Sequence, residues 1–90
     1  MFRSTYYLLE IISLVNSIEG RKKMQKIIYL LERYGIDLPF KYQYHFYGPY
    51  SVQLQEEINY LVNQGFLEEE KCNGTYVYKI TDRGKQFKKK

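Results

Sequence analysis

The sequence predicts an α+β fold of the winged helix-turn-helix class, and three observations lead to it. The 90 residues suit one domain over residues 1–90, because two domains would need a longer chain. Helical spacing of apolar residues recurs three times, with an alternating, strand-like stretch before the third occurrence. The chain then carries a β-hairpin signal, Asn73-Gly74. Three helices, one short strand before the third helix and a C-terminal hairpin wing make up this fold.

The first helix is predicted over about residues 5 to 18, where five apolar residues recur at helical spacing. They are Leu8, Ile11, Ile12, Val15 and Ile18. Thr5 is a candidate N-cap, and Gly20 is expected to stop the helix.

The second helix follows from the same periodicity and ends near Gly35, which suits the left-handed position after a helix. Its apolar stripe consists of Met24, Ile27, Ile28, Leu31 and Tyr34. The opposite face carries residues spaced at i, i+4, i+7 and i+11, namely Lys22, Lys26, Tyr29 and Arg33. This basic stripe is either a DNA-binding face or the solvated side of an amphipathic helix.

Residues 40–47 alternate aromatic with mostly polar side chains, which predicts one half-buried strand ended by Gly48-Pro49. Four aromatic residues share one of its faces, namely Phe40, Tyr42, Tyr44 and Phe46. We expect this face to be core beneath the first helix. The alternative is a surface that stacks single-stranded bases.

A third helix is expected after Ser51, a good N-cap, with Leu54, Ile58, Leu61 and Val62 inward and Gly65 at its end. The hairpin follows. A two-residue turn places Leu67 opposite Ile80 and Glu68 opposite Lys79. Thr81 and Asp82 then start a short turn or helix that returns Phe87 to the core.

Composition excludes several classes of protein. No apolar run approaches the roughly 18 residues of a membrane span, and no signal peptide precedes the first helix, so a cytoplasmic location is expected. Cys72 is the single cysteine and His45 the single histidine, which leaves no disulfide framework or metal cluster. No cofactor motif or catalytic constellation accompanies Ser51, so we expect a protein without enzymatic activity.

The net charge of +4 is unevenly distributed. Residues 21–35 sum to +4 and residues 71–90 to +6, whereas residues 51–70 sum to −5. The third helix contains no lysine or arginine, so ordinary docking of this helix in the major groove would bring little phosphate affinity. Contacts to double-stranded DNA are expected from the basic stripe, from the start of the third helix and from the wing. The latter two groups are Tyr50, Ser51, Gln53 and Gln55, and Lys71, Asn73, Lys79 and Arg83.

Two stretches resemble known families. Residues 23–31 (KMQKIIYLL) and 42–51 (YQYHFYGPYS) are similar to patterns of the YwgA-like and Panacea (SocA-like antitoxin) families. Residues 65–68 (GFLE) and 78–84 (YKITDRG) resemble a wing shared by several regulator families. The resemblance implies a winged-helix-like fold with a role in transcription regulation or in toxin–antitoxin systems.

Two functional hypotheses follow. The first is a small DNA-binding transcriptional regulator that acts as a homodimer, because one such module makes few contacts and paired half-sites raise specificity. The alternative is a protein-binding module of the same fold, an antitoxin or adaptor, that uses its tyrosine-rich surface to hold a protein partner.

Overall fold

The computed structural model describes residues 2–15, 17–46 and 48–88, and these form an α+β domain. Its helices are α1 (Phe2–Leu14), α2 (Arg21–Arg33), α3 (Val52–Asn63) and α4 (Asp82–Lys88). Its strands are β1 (Ile18–Glu19), β2 (Gln43–His45), β3 (Gly48–Tyr50), β4 (Leu67–Cys72) and β5 (Thr75–Ile80). The mixed α+β class is therefore confirmed, with one helix more than the three expected. Tyr47, which we placed in the predicted strand, lies outside the described residues.

The larger sheet is antiparallel and has the order β1-β5-β4. The hairpin has the predicted register, with Leu67 opposite Ile80 and Glu68 opposite Lys79. Asn73 and Gly74 turn the chain with φ angles of 51° and 79°, as a type I′ turn requires.

Strand β1 corrects the predicted end of the first helix. The helix ends at Leu14, and Ile18 belongs to β1, where it is buried opposite Tyr78 of β5. The Gly20 N–H continues the pairing by donating to the Tyr76 carbonyl oxygen at 2.6 Å. Pairing with β5 satisfies backbone groups that one more helical turn would have used, so tertiary contact overrides the helical pattern here.

The second sheet is a two-stranded ribbon, β2 paired with β3, and it corrects the prediction of a single strand over residues 40–47. Tyr44 lies opposite Pro49 and His45 opposite Gly48. Gly48 has a φ of 113° and reverses the chain, so Gly48-Pro49 lies inside the ribbon and does not end it. Proline is tolerated because both strands of a two-stranded ribbon are edge strands.

The core lies between α1, α2, α3 and the larger sheet. Its fully buried side chains are Leu8, Leu9, Ile12, Ile18, Met24, Ile28, Leu54, Ile58, Leu61 and Tyr78. Helix α4 closes this core: the Phe87 ring meets Phe66 edge to face at 4.8 Å, as its predicted return requires. Among the described residues, no helix combines the length and apolar character needed to cross a membrane.

Candidate nucleic-acid interface

The junction between α2 and α3 is fixed by a reciprocal pair of hydrogen bonds. Gln25 is buried on α2, and its side-chain oxygen accepts the backbone N–H of Ser51 at 2.8 Å. Its amide nitrogen donates to the Ser51 carbonyl oxygen at 3.0 Å. The start of α3 and the preceding Tyr50 are therefore held at a defined place beside α2. Gln25 was not among the predicted residues.

Two clefts open on either side of Tyr50. The first, of about 300 Å³, lies between the N-terminal turns of α2 and α3 and is lined by Arg21, Lys22, Gln25, Tyr50 and Gln55. The second, of about 500 Å³, lies between the ribbon and α3 and is lined by Lys41, Tyr42, Gln43, Tyr50, Val52, Gln53 and Glu56. Three of the predicted contacts, Lys22, Tyr50 and Gln55, thus meet in one cleft.

The predicted basic stripe is present on α2. Lys22, Lys26 and Arg33 are exposed, and Tyr29 is half-buried among them. The Arg33 guanidinium lies 5.8 Å from the centre of the Tyr29 ring and donates to its hydroxyl at 3.4 Å. The stripe therefore forms a cationic ridge that begins at the first cleft with Lys22.

Arg21 joins this ridge to the hairpin, although we did not predict it as a site residue. Its Nε donates to the Tyr78 hydroxyl at 3.2 Å, and its Nη2 lies 3.5 Å from a carboxylate oxygen of Glu69. The bond to Tyr78 raises the pKa of Arg21. Its guanidinium also covers the Tyr76 ring at 4.0 Å, and Lys71 Nζ lies 5.8 Å from the centre of the same ring. Two cations therefore flank Tyr76.

The predicted wing contacts do not form one surface. Side chains alternate across a strand, so Lys71, opposite Tyr76, lies on one face of the sheet, and Lys79, opposite Glu68, lies on the other. Asn73 is exposed at the turn. Arg83 lies at the far end of the hairpin, where its Nε donates to the Gln64 carbonyl oxygen at 2.8 Å and its guanidinium covers the Phe66 ring at 5.0 Å. Of the wing cations, only Lys71 faces Arg21.

The start of α3 needs a similar correction. Ser51 is fully buried, and its hydroxyl accepts the Leu54 N–H at 3.1 Å, so it caps the helix and is not accessible to a phosphate. Gln53 is exposed, and Gln55 is half-buried and donates to Asn59 at 3.1 Å. The two amide side chains are therefore the contacts that α3 offers near its N-terminus.

The aromatic face of the ribbon is only partly core, contrary to the prediction. Phe40 is buried and Tyr42 half-buried, but Tyr44 is 78% exposed and Phe46 is fully exposed. The ribbon packs on α2 and not beneath α1: the Tyr42 ring meets the Tyr29 ring at 5.1 Å, and the Tyr44 and Tyr29 hydroxyls lie 3.1 Å apart. This hydrogen bond raises the pKa of Tyr44. The rings beyond Tyr42 therefore project past the helix.

His45 and Cys72 lie apart from any predicted chemistry. The His45 ring lies 5.1 Å from the Tyr50 ring. Cys72 is exposed beside the hairpin turn, and desolvation together with the Glu70 carboxylate raises the pKa of its thiol. A raised pKa lowers the fraction of thiolate and with it the reactivity of the cysteine.

Comparison with known proteins finds one informative relative. The chain is 41% identical over 91 residues to the protein named "Uncharacterized protein YwgA" of Bacillus subtilis (strain 168). The match covers 97% of this chain and 55% of the relative, so the chain spans about half of the relative's length. No family model and no solved structure matches the chain. The match supports the YwgA-like part of the resemblance and leaves the Panacea part without support.

Proposed function

We propose that this chain is a winged helix-turn-helix domain that binds double-stranded DNA as a cytoplasmic transcriptional regulator. The order of the elements supports this fold. Three helices precede the β4–β5 hairpin, and the short strand β1 between α1 and α2 completes a three-stranded sheet with that hairpin. The ribbon β2–β3 is an insertion between α2 and α3.

The observation that supports DNA binding most directly is the convergence of cations at the first cleft. Arg21 and Lys22 line it, Lys71 reaches it across the Tyr76 ring, and Lys26 and Arg33 extend the charge along α2. Lysine and arginine side chains that neutralise phosphates provide most of the affinity for nucleic acid. Tyr50 and Gln55 add hydrogen-bonding groups to the same cleft.

Docking through α2 and the wing also avoids the acidic part of the chain. Glu56 is exposed on α3, and Glu57 is hydrogen-bonded to Thr5 of α1. A phosphate backbone laid along α3 would meet the charge of Glu56. We therefore place the N-terminal turn of α3 near the bases and the cations of α2 against the phosphates. A homodimer would double these contacts across two half-sites.

The experiment is a fluorescence-anisotropy titration of a random-sequence duplex at two salt concentrations. We expect binding at low salt that weakens by orders of magnitude as salt rises. Lys22→Ala, Lys26→Ala and Arg33→Ala together should lower the slope of log K against log salt by up to about 2.7, or about 0.9 for each phosphate contact. A wild-type chain that fails to bind duplex at low salt would contradict the proposal.

A protein-binding module, an antitoxin or adaptor, is the second candidate, and the exposure of Tyr44 and Phe46 is the observation that favours it. Exposed aromatic residues are enriched at protein interfaces. Binding through such a surface should depend little on salt, in contrast to phosphate binding. A pull-down at high salt separates the two hypotheses, because it retains a protein partner and loses nucleic acid.

A further inference from the structure

The ribbon and the C-terminal half of α2 together form an exposed aromatic surface, which we define as Tyr29, Arg33, Tyr44 and Phe46. Tyr44 is 78% exposed and Phe46 fully exposed, although both are large apolar rings. The hydrogen bond between the Tyr29 and Tyr44 hydroxyls ties the ribbon to the helix at this point. The surface is therefore held by the fold and is not a loose loop tip.

Positive charge borders these rings. Arg33 is exposed and lies over the Tyr29 ring, and Lys26 is exposed on the same helix face, two turns before Arg33. The carboxylate of this part of α2 belongs to Glu32, and its Oε2 atom is buried beside Tyr42. Burial raises the pKa of Glu32, against the opposing effect of the Tyr42 hydroxyl. The helix thus turns its acidic group inward and its cations outward.

Exposed rings beside cations match one class of ligand well. A DNA duplex offers phosphates to the cations, but its bases are stacked on one another and offer nothing to the rings. A single strand offers both phosphates and free base faces, and proteins bind it with a cationic groove and aromatic platforms. The surface charge favours such a polyanion over a protein partner.

We propose that this aromatic surface binds single-stranded nucleic acid, with Tyr44 and Phe46 stacking on unpaired bases and Arg33 and Lys26 contacting the adjoining phosphates. Residues two positions apart along an extended chain are about 7 Å apart, a spacing that suits stacking of successive bases on a sheet. The proposal goes beyond duplex binding, since the two rings have no part in it.

The test is a titration of a fluorescein-labelled 20-nucleotide oligothymidylate at low salt, with a duplex of equal length measured in parallel. The wild-type chain should bind the oligothymidylate. Tyr44→Ala with Phe46→Ala should weaken that binding by about tenfold or more, because each stacked base contributes about 1–3 kcal/mol. The same variant should change duplex affinity by less than about threefold, since neither ring contacts a phosphate.

Three controls isolate stacking. Tyr44→Phe keeps the ring and removes the hydroxyl pair with Tyr29, so it should bind the oligothymidylate nearly as wild type does. Tyr6→Ala, which removes an exposed tyrosine of α1, should change nothing. Phe46→Ala alone removes a fully exposed ring, so folding cannot depend on it, and it should still lose several-fold affinity.

Two results would overturn the proposal. One is a wild-type chain that fails to bind the oligothymidylate at low salt, which would leave the rings to a protein partner. The other is binding that survives loss of both rings. Because the duplex is measured in the same experiment, failure of duplex binding alone would contradict the proposed regulator and leave the single-strand surface standing.

Discussion

Gln25 and Ser51 hold each other as two paired strands would: the Gln25 side-chain amide takes the place of a backbone peptide, accepting from the Ser51 N–H and donating to the Ser51 carbonyl oxygen. Both residues are buried, so no water replaces either bond. The pair sets the position of α3 relative to α2, and hence the width of the first cleft.

Gln25→Ala should destabilise the chain, because it leaves the buried N–H and carbonyl oxygen of Ser51 unpaired. Each unsatisfied group costs about 1–3 kcal/mol, so we expect a loss of about 2–4 kcal/mol in the free energy of unfolding, measured by urea denaturation. Gln25→Glu keeps the acceptor and loses the donor, so it should fall between the two. Equal stability of all three chains would show that the pair contributes nothing.

Ser51→Ala should cost about 1 kcal/mol of stability, within the usual range of 0.5–2 kcal/mol for loss of an N-cap. Its duplex affinity should stay within about twofold of wild type at temperatures where both are folded, because the hydroxyl is buried against the Leu54 N–H. Urea denaturation and anisotropy check the two halves of this prediction. Loss of affinity without loss of stability would return Ser51 to the set of DNA contacts.

Lys71→Ala and Lys79→Ala form a matched pair, since both remove one cation from the same hairpin. Lys71 shares its face of the sheet with Tyr76 and Arg21, whereas Lys79 lies on the other face opposite Glu68. Loss of Lys71 should lower the slope of log K against log salt by about 0.9, and loss of Lys79 should leave it unchanged. Equal effects of the two substitutions would mean that the wing binds DNA with no preferred face.

Gly84→Ala should destabilise the chain by about 1–3 kcal/mol or more through overpacking. A Cβ at this position would lie 2.3 Å from the Phe66 carbonyl oxygen and 2.8 Å from Ile80, and the first neighbour is backbone. Gln86→Ala on the same helix removes an exposed side chain and is the control. Thermal or urea unfolding gives both values, and a Gly84→Ala chain as stable as Gln86→Ala would contradict the close approach of α4 to the hairpin.

Tyr78 makes stability dependent on alkaline pH. Burial, with the bond to Glu69, raises the pKa of Tyr78 to about 12, against an ordinary value near 10. The folded chain therefore keeps this proton to higher pH than the unfolded chain does. The resulting stabilisation is present in full below pH 10 and is lost as the pH rises towards 12, a change of about 2–3 kcal/mol.

Tyr78→Phe tests this origin, because phenylalanine has no proton to lose. Its free energy of unfolding should fall less between pH 10 and pH 12 than that of wild type, measured by urea denaturation at each pH. Tyr60→Phe, an exposed tyrosine of α3, should follow the wild-type curve. Parallel curves for wild type and Tyr78→Phe would assign the alkaline loss to other groups.

The parts of the fold that could be predicted from the sequence are those set by local chemistry. Asn73-Gly74 determines the turn and thereby the register of the hairpin, because only that pairing closes a two-residue loop. Ser51 caps α3, and Gly35 follows α2 with a φ of 111°. Each of these depends on residues within a few positions of one another.

The misses share a different cause, which is contact between distant parts of the chain. Ile18 continues a helical period and yet pairs with Tyr78, 60 residues later. Tyr34 fits the apolar stripe of α2 but is 85% exposed, because the helix ends at Arg33 and nothing packs over its last turn. Phe46 alternates in the pattern of a core strand, although the ribbon extends beyond the helix that supports it.

The candidate site follows the same division. The basic stripe of α2 could be predicted from spacing alone, whereas the split of the wing cations depends on where α4 and the sheet faces lie. Arg21 belongs to the basic block in the sequence, but only the fold brings it to Tyr76. Gln25 leaves one signal in the sequence, a single amide at the border of the apolar stripe of α2.

Strand β1 has a consequence for how the chain forms during its synthesis. It leaves the ribosome some 60 residues before β5, its partner and the central strand of the larger sheet. Helices α1 to α3 can form as they emerge, because their contacts are local, but Ile18 has no partner strand until Tyr78 has emerged. Long-range pairing of this kind slows folding, so the nascent chain exposes apolar surface until the hairpin docks. A pause in translation before residue 75 would therefore lengthen the time in which the unfinished chain needs a chaperone.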